Sequence, residues 1–288
     1  MRQASAASPG SSARLERLLS QGTSHLVLLI AVVIAVVPFL WAILSSLKSN
    51  DAIFLEPFSV PSAPRWSNYA EAWVRGKFGQ YFWNSIAIAV PSVALNLFCS
   101  SLAGFAFARL RFPGSRFVFY AFLIGMAIPT NAILIPLYFT VKDLKLLDTL
   151  PGVILPQVAS GMPFGIFMMR AFFRTLPNEL EDAARIDGCT SFGVYRHVML
   201  PLSAGAMATL FIFAFMGSWN DFLIPYVFIH EDSMRTIPLG LLYFQGSYVS
   251  EYRLLFAGIV ISFIPTLVLY VLFQRQFVRG ITVGAVRG

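Results

Sequence analysis

This chain is short of charge. Asp, Glu, Lys and Arg make up 12% of its 288 residues, against roughly 25% in a soluble domain, so water is not the main solvent of its surface. It has two cysteines, Cys99 in an apolar run and Cys189 in a polar one, which excludes a disulfide framework; both are expected to be reduced. Its three histidines, His25, His197 and His230, are far apart. They read as interfacial residues, and no Cys/His grouping has metal-ligand spacing. Of the four lysines only Lys48 precedes a Ser or Thr, and Leu47 stands before it, so there is no phosphate-cradling Gly-Lys-Ser/Thr loop. A G-x-S-x-G nucleophile elbow is missing as well. Driven work by this chain must therefore draw on a partner or an ion gradient.

What is abundant is hydrocarbon: 57% hydrophobic residues and a mean hydropathy of +0.70. A bilayer core needs roughly 20 apolar residues per helix. Six stretches qualify: Leu26–Leu47, Asn84–Ala108, Phe117–Phe139, Gly152–Phe173, Ser203–Ile229 and Leu254–Phe273. The expectation is an all-α membrane protein with six transmembrane helices. The fifth is expected to leave the membrane near Trp219–Phe222, because Pro225 and polar residues follow. Residues 1–25 read as a disordered cytoplasmic tail, 48–83 as an extracytoplasmic loop, 84–274 as a core of five helices and 275–288 as a cytoplasmic tail. No cleavage site follows the first apolar run, so it reads as a span. Each span holds a proline within it or at its edge, which spans tolerate where neighbours satisfy the freed carbonyls.

The net charge of +7 does not point to nucleic acid, since the basic residues are scattered at the ends of apolar runs. One side of the six spans carries 13 Lys or Arg: residues 2, 14, 17, 109, 111, 116, 170, 174, 185, 196, 275, 279 and 287. The other carries 8, with eight acids among them. The excess places both termini, and segment 178–201, in the cytoplasm.

Polar residues within the spans are few. Asp221, at the outer end of the fifth span beside Trp219 and Asn220, suits either the water interface or a transport cavity. Asn96, Asn131 and Gln157 suit a polar pathway or hydrogen bonds between helices. An ion-coupled carrier would be expected to hold ionised groups near mid-bilayer, and none stands there.

Segment 178–201, NELEDAARIDGCTSFGVYRHVMLP, ending in Leu200-Pro201, breaks the hydrophobic pattern. Asn178 suits an N-cap, with Glu181 completing a capping-box pairing. Glu179, Glu181 and Asp182 crowd the first turn, where the helix dipole favours anions. Gly188 can take the left-handed conformation that stops a helix, and Thr190 or Ser191 can cap the next. A helix this short needs something packed on it. Leu180, Ala183, Ala184 and Ile186 offer an apolar, small-residue side; Glu181, Asp182, Arg185 and Asp187 offer charge. On these grounds a self-packed elbow and a docking helix are equally good readings.

The spacing resembles the EAA loop of permease subunits from binding-protein-dependent ABC importers: Glu-Ala-Ala, three residues, Gly, nine residues, Ile, one residue, Leu-Pro. Here it reads Asp182-Ala183-Ala184, Gly188, Val198, Leu200-Pro201, with Asp replacing Glu and Val replacing Ile. The flanks resemble the carbohydrate branch: LEDAARIDG at 180–188, GFAFARLRFPG at 104–114, SWNDF at 218–222 and FVRGITVGAVRG at 277–288.

The resemblance implies a type I ABC importer permease fold in a bacterial or archaeal cytoplasmic membrane. It implies a second, related permease as heterodimer partner. A dimer of cytoplasmic ATPase subunits would bind the ATP and Mg, with no cofactor on this chain. An extracytoplasmic solute-binding protein would meet the loops near Asn50–Trp83, Lys142–Leu150 and His230–Arg253. It also implies that Glu179, Glu181, Asp182, Ala183, Ala184, Arg185, Asp187, Gly188, Leu200 and Pro201 couple to the ATPase. Asn96, Asn131, Gln157, Asn220 and Asp221 are candidates for the pathway of a sugar or polyol. The rivals are an ion-coupled sugar carrier and a membrane scaffold without a pathway.

Overall fold

A computed structural model describes residues 11–245 and 251–285. Arg2, Arg287 and stretch 246–250 of the last loop lie outside the described residues. In chain order the helices are α1 (Ser11–Ser46), α2 (Asn50–Leu55), α3 (Ser67–Arg75), α4 (Phe78–Arg109), α5 (Ser115–Ala127), α6 (Thr130–Asp143), α7 (Leu150–Phe173), α8 (Glu179–Ile186), α9 (Ser191–Val194), α10 (Leu200–Leu202), α11 (Ala204–Trp219), α12 (Leu223–Phe228), α13 (Ile237–Gly240) and α14 (Tyr252–Ala285). Among the described residues there is no strand. In a bilayer this is expected, because a helix satisfies its own backbone.

Among the described residues, four helical segments are long and apolar enough to span: Gly22–Ser46, Phe78–Arg109, Leu150–Phe173 and Tyr252–Gln274. The other two expected spans are bent pairs. α5 and α6 meet at 105°, and Ser191–Leu202 meets α11 at 78°. The third stretch, read as one helix over Phe117–Phe139, is therefore broken at Ile128-Pro129. Ile128 is extended (ψ 113°) before the proline, the conformation proline favours in its predecessor. Pro38, Pro91, Pro136, Pro156, Pro163 and Pro265 all sit inside continuous helices. The fifth span ends at Trp219, as expected, and α12 follows as a separate short helix. The N-terminal stretch differs from the disordered tail expected of it. α1 already begins at Ser11, where Ala, Leu, Glu and Arg supply good helix formers continuous with the span.

α4 is the central helix, packed on α7 and α11. The α4–α7 approach depends on small residues: Gly161 and Gly165 lie against Asn96 and Ser100, and a Cβ at either would collide with those side chains. This is the small-residue packing typical of helices in lipid. α1 lies outside the core against α14, with Phe39 4.9 Å from Phe263 and Trp41 5.0 Å from Phe256 between ring centroids. Its exposed leucines, valines and isoleucines suit hydrocarbon rather than water.

At the α3 end of the bundle, polar groups fasten the elements. The Asn68 amide donates to Ser46 O (2.7 Å) and Lys48 O (2.9 Å). Arg253 donates to Glu71 Oε2 (2.6 Å) and Asn68 Oδ1 (3.0 Å). Arg75 bridges Glu71 (2.7 Å) and Glu251 (3.0 Å). The hydrogen bonds of Arg253, then those of Arg75, pull the Glu71 carboxyl down to about 2. Lys77 and Arg235 both pair with Asp232.

Candidate functional site

Two sites emerge, joined by α4. The first is segment 178–201. α8 is eight residues long and ends as its glycine dictates: Gly188 has φ +83°. The Cys189 N–H donates to Ala184 O (2.9 Å) and the Gly188 N–H to Arg185 O (3.0 Å). This is the Schellman pair that satisfies the last carbonyls of a helix. Nothing lies within 4 Å of where a Gly188 Cβ would be, so backbone conformation, not crowding, requires the glycine. Thr190 caps α9, its Oγ1 accepting from Gly193 N at 3.2 Å.

Asn178 does not cap α8 with its side chain. Its backbone is helical (φ −69°, ψ −28°), and its Oδ1 instead accepts from Arg109 Nη1. Arg109, the last residue of α4, also donates through Nη2 to Phe173 O (2.7 Å) and Leu176 O (2.5 Å). One guanidinium thus holds the end of α7 and the start of α8. Glu181 does not reach back to Asn178 either: it pairs with Arg185 at 2.8 Å and its side chain is only 13% exposed. The capping-box expectation fails because a stronger, charged donor from another helix takes the capping oxygen.

The apolar side expected of Leu180, Ala183, Ala184 and Ile186 splits in two. Ala184 is buried with Phe105, Phe173, Val194 and Tyr195. Ala183 is exposed, and Ile186 is 86% exposed. At 100° per residue the outward face gathers Glu179, Asp182, Ala183 and Ile186. Asp187 lies beside it, exposed, and Leu200 and Pro201 lie beyond the π-helical turn Tyr195–Met199. Tyr195 fastens this second half to α4 through a 2.8 Å hydroxyl contact with Ser101.

The second site is a cavity of about 480 Å³ among α4, α7 and α11. Gln157 organises it. Its Oε1 accepts from Ser92 (3.1 Å) and Ser218 (2.6 Å), and its Nε2 donates to Asp221 Oδ2 (2.9 Å). The other Asp221 oxygen accepts from Ile224 N at 3.2 Å. Asn96 lines the cavity from α4, and Phe164 and Phe213 form its aromatic wall with centroids 5.3 Å apart. Hydroxyls, an amide and a carboxylate facing a ring pair can bind a hydroxyl-rich solute through its polar groups and its C–H faces.

Of the five pathway candidates, Asn96, Gln157 and Asp221 meet here and two do not. Asn131 is exposed at the start of α6, and Asn220 turns back to donate to Met216 O at 2.9 Å. Ser92 and Ser218 join the site without having been anticipated, because serine in a span carries no distinctive sequence signal. Arg109 enters the sequence reading as a topological charge and within the 104–114 motif, with no role at segment 178–201; its place as the last residue of a helix was the available sign.

Residues 96–283 match the family described as the binding-protein-dependent transport system inner membrane component. The chain is 37% identical over 266 residues to the diacetylchitobiose uptake system permease NgcG of Streptomyces coelicolor, covering 92% of this chain and 88% of that one. It is 36% identical to the arabinooligosaccharide permease AraQ of Halalkalibacterium halodurans, over 88% and 92% of the two chains. It is 33% identical to the trehalose permease SugB of Mycobacterium tuberculosis, over 88% and 93%. The crystal structure of a bacterial ABC transporter involved in import of the acidic polysaccharide alginate has the same fold, with a TM-score of 0.80 at 23% identity, covering 94% of this chain and 99% of that one.

Proposed function

This chain belongs to the family of binding-protein-dependent transport system inner membrane components, and from that premise we propose how it works within a carbohydrate ABC importer. It is a permease subunit. The ATP and Mg that drive it are bound by a pair of ATPase subunits on the α8 side, and α8 is the coupling helix. The observation that carries this is the exposed Ile186, set among Glu179, Asp182 and Ala183 on a helix too short to stand alone. An isoleucine so exposed on a capped, fastened helix is suited to a pocket on another subunit.

The α8 side is the cytoplasmic one. The excess of basic residues on that side supports this orientation. The opposite side, with α2, α3 and the α12–α14 connection, would meet the solute-binding protein. A second, related permease would complete the pathway.

The cavity is the substrate station on this subunit. Its lining includes Asp221 and no lysine, arginine or histidine, which favours a neutral di- or oligosaccharide over an anionic polyol phosphate. Push on α8 reaches it through α4, which carries Arg109 and Ser101 at one end and Asn96 and Ser92 in the cavity wall.

Reconstitution tests the assignment. The transporter purified through this chain, in liposomes, should take up a neutral oligosaccharide only with ATP and a solute-binding protein present. Uptake driven by a proton or sodium gradient without ATP would instead identify an ion-coupled carrier.

A further inference from the structure

Beside the coupling segment lies a second pocket of about 300 Å³, lined by Phe107, Ser115, Arg116, Phe119, Tyr120, Arg170 and Arg174. Three guanidiniums converge there, and among the described residues no carboxylate lies within 4 Å of any of them. Arg170 is held in place: its Nε donates to Phe107 O at 3.2 Å and its guanidinium lies 3.8 Å from the Phe119 ring centroid. Arg116 leans on Tyr120 at 5.7 Å. Ser115 and Arg116 open α5, so the positive end of that helix adds to the field. Like charges gathered at the edge of a low-dielectric medium repel unless an anion sits among them. Planar guanidiniums match the oxygens of a phosphate, as of a carboxylate, in a bidentate fork.

We propose that this pocket binds the headgroup phosphate of an anionic phospholipid. The source is indicated by what adjoins it. Phe117, Tyr120 and Ile124, spaced along α5, are 79%, 49% and 65% exposed and form an apolar strip leading away from the pocket. Acyl chains lie along that strip while the headgroup lies among the arginines. The inference needs only that the chain spans a membrane, not the proposed coupling or substrate, and its readout involves neither ATP nor sugar.

Native mass spectrometry of the transporter purified through a tag on this chain tests it. The probes are phosphatidylglycerol and phosphatidylcholine of matched acyl chains. Phosphatidylglycerol should be retained preferentially, and Arg116→Gln, at an exposed position that leaves the packing intact, should weaken retention about fivefold, as one interfacial arginine warrants. The triple substitution R116Q/R170Q/R174Q should abolish the preference. Equal retention of both lipids, or unchanged retention in Arg116→Gln, overturns the site. Displacement of the adduct by millimolar inorganic phosphate overturns the lipid as its occupant, as does absence of the adduct because a carboxylate of another subunit fills the pocket.

Discussion

Single residues set the two sites, and their roles are unequal. Gly188 is required for its backbone: at φ +83° an L side chain is strained, by roughly 1–2 kcal/mol and more when β-branched. Gly188→Val should leave the protein in the membrane but abolish substrate-stimulated ATP hydrolysis by the assembled transporter. Membrane abundance and ATPase assays check this, and wild-type stimulation would contradict it. Gln157 is required for its amide, which accepts two hydroxyls and donates to Asp221. Replacing it with leucine strands those partners, at about 1–3 kcal/mol for an unsatisfied group. Uptake by Gln157→Leu should show a KM raised about tenfold, an effect of roughly 1.4 kcal/mol; an unchanged KM would remove Gln157 from the pathway. Gly188 was legible in the sequence because a left-handed residue ending a helix is most often glycine. Gln157 was named there, but its serine partners were not, since their role depends on which helices meet.

Elements show where local rules end. Pro129 breaks a span whereas Pro91 and Pro265 do not, so proline alone does not distinguish the cases. The same limit explains Asn178: the capping rule is local, and Arg109 arrives from 69 residues away in the chain. Arg109→Ala should therefore loosen the α7–α8 corner. Hydrogen bonds to charged groups contribute about 1.5–3 kcal/mol. We expect a lowered melting temperature and weaker ATPase retention, with Arg109→Lys recovering only part because an ammonium lacks the fork. At the other end, the α3–α14 junction is pH-dependent. The folded Glu71 carboxyl lies at about 2, below its ordinary 4.5, so the folded state binds fewer protons. Its contribution is present in full above the ordinary value and lost as pH falls through the folded one. Thermal melts between pH 5 and 3 should fall more steeply for wild type than for Glu71→Gln; equal slopes would show that the ion network contributes nothing.

At the scale of the whole molecule, α4 joins the two sites. One end of α4 holds segment 178–201 through Arg109 and Ser101; its middle forms the cavity wall through Asn96 and Ser92. The apolar stretches, the position of the polar segment and its spacing were readable from hydropathy and motif. The outward face of α8 was not, because which side of an amphipathic turn is buried depends on what α4 and α7 present to it. That face is where, in the proposed coupling, energy enters. The most direct test replaces its exposed apolar centre: Ile186→Asp, with the transporter purified through a tag on this chain. The permease should fold and reach the membrane but no longer co-purify with its ATPase subunits; retention of the ATPase at the wild-type ratio, with normal ATP-driven uptake, would rule out coupling through this face.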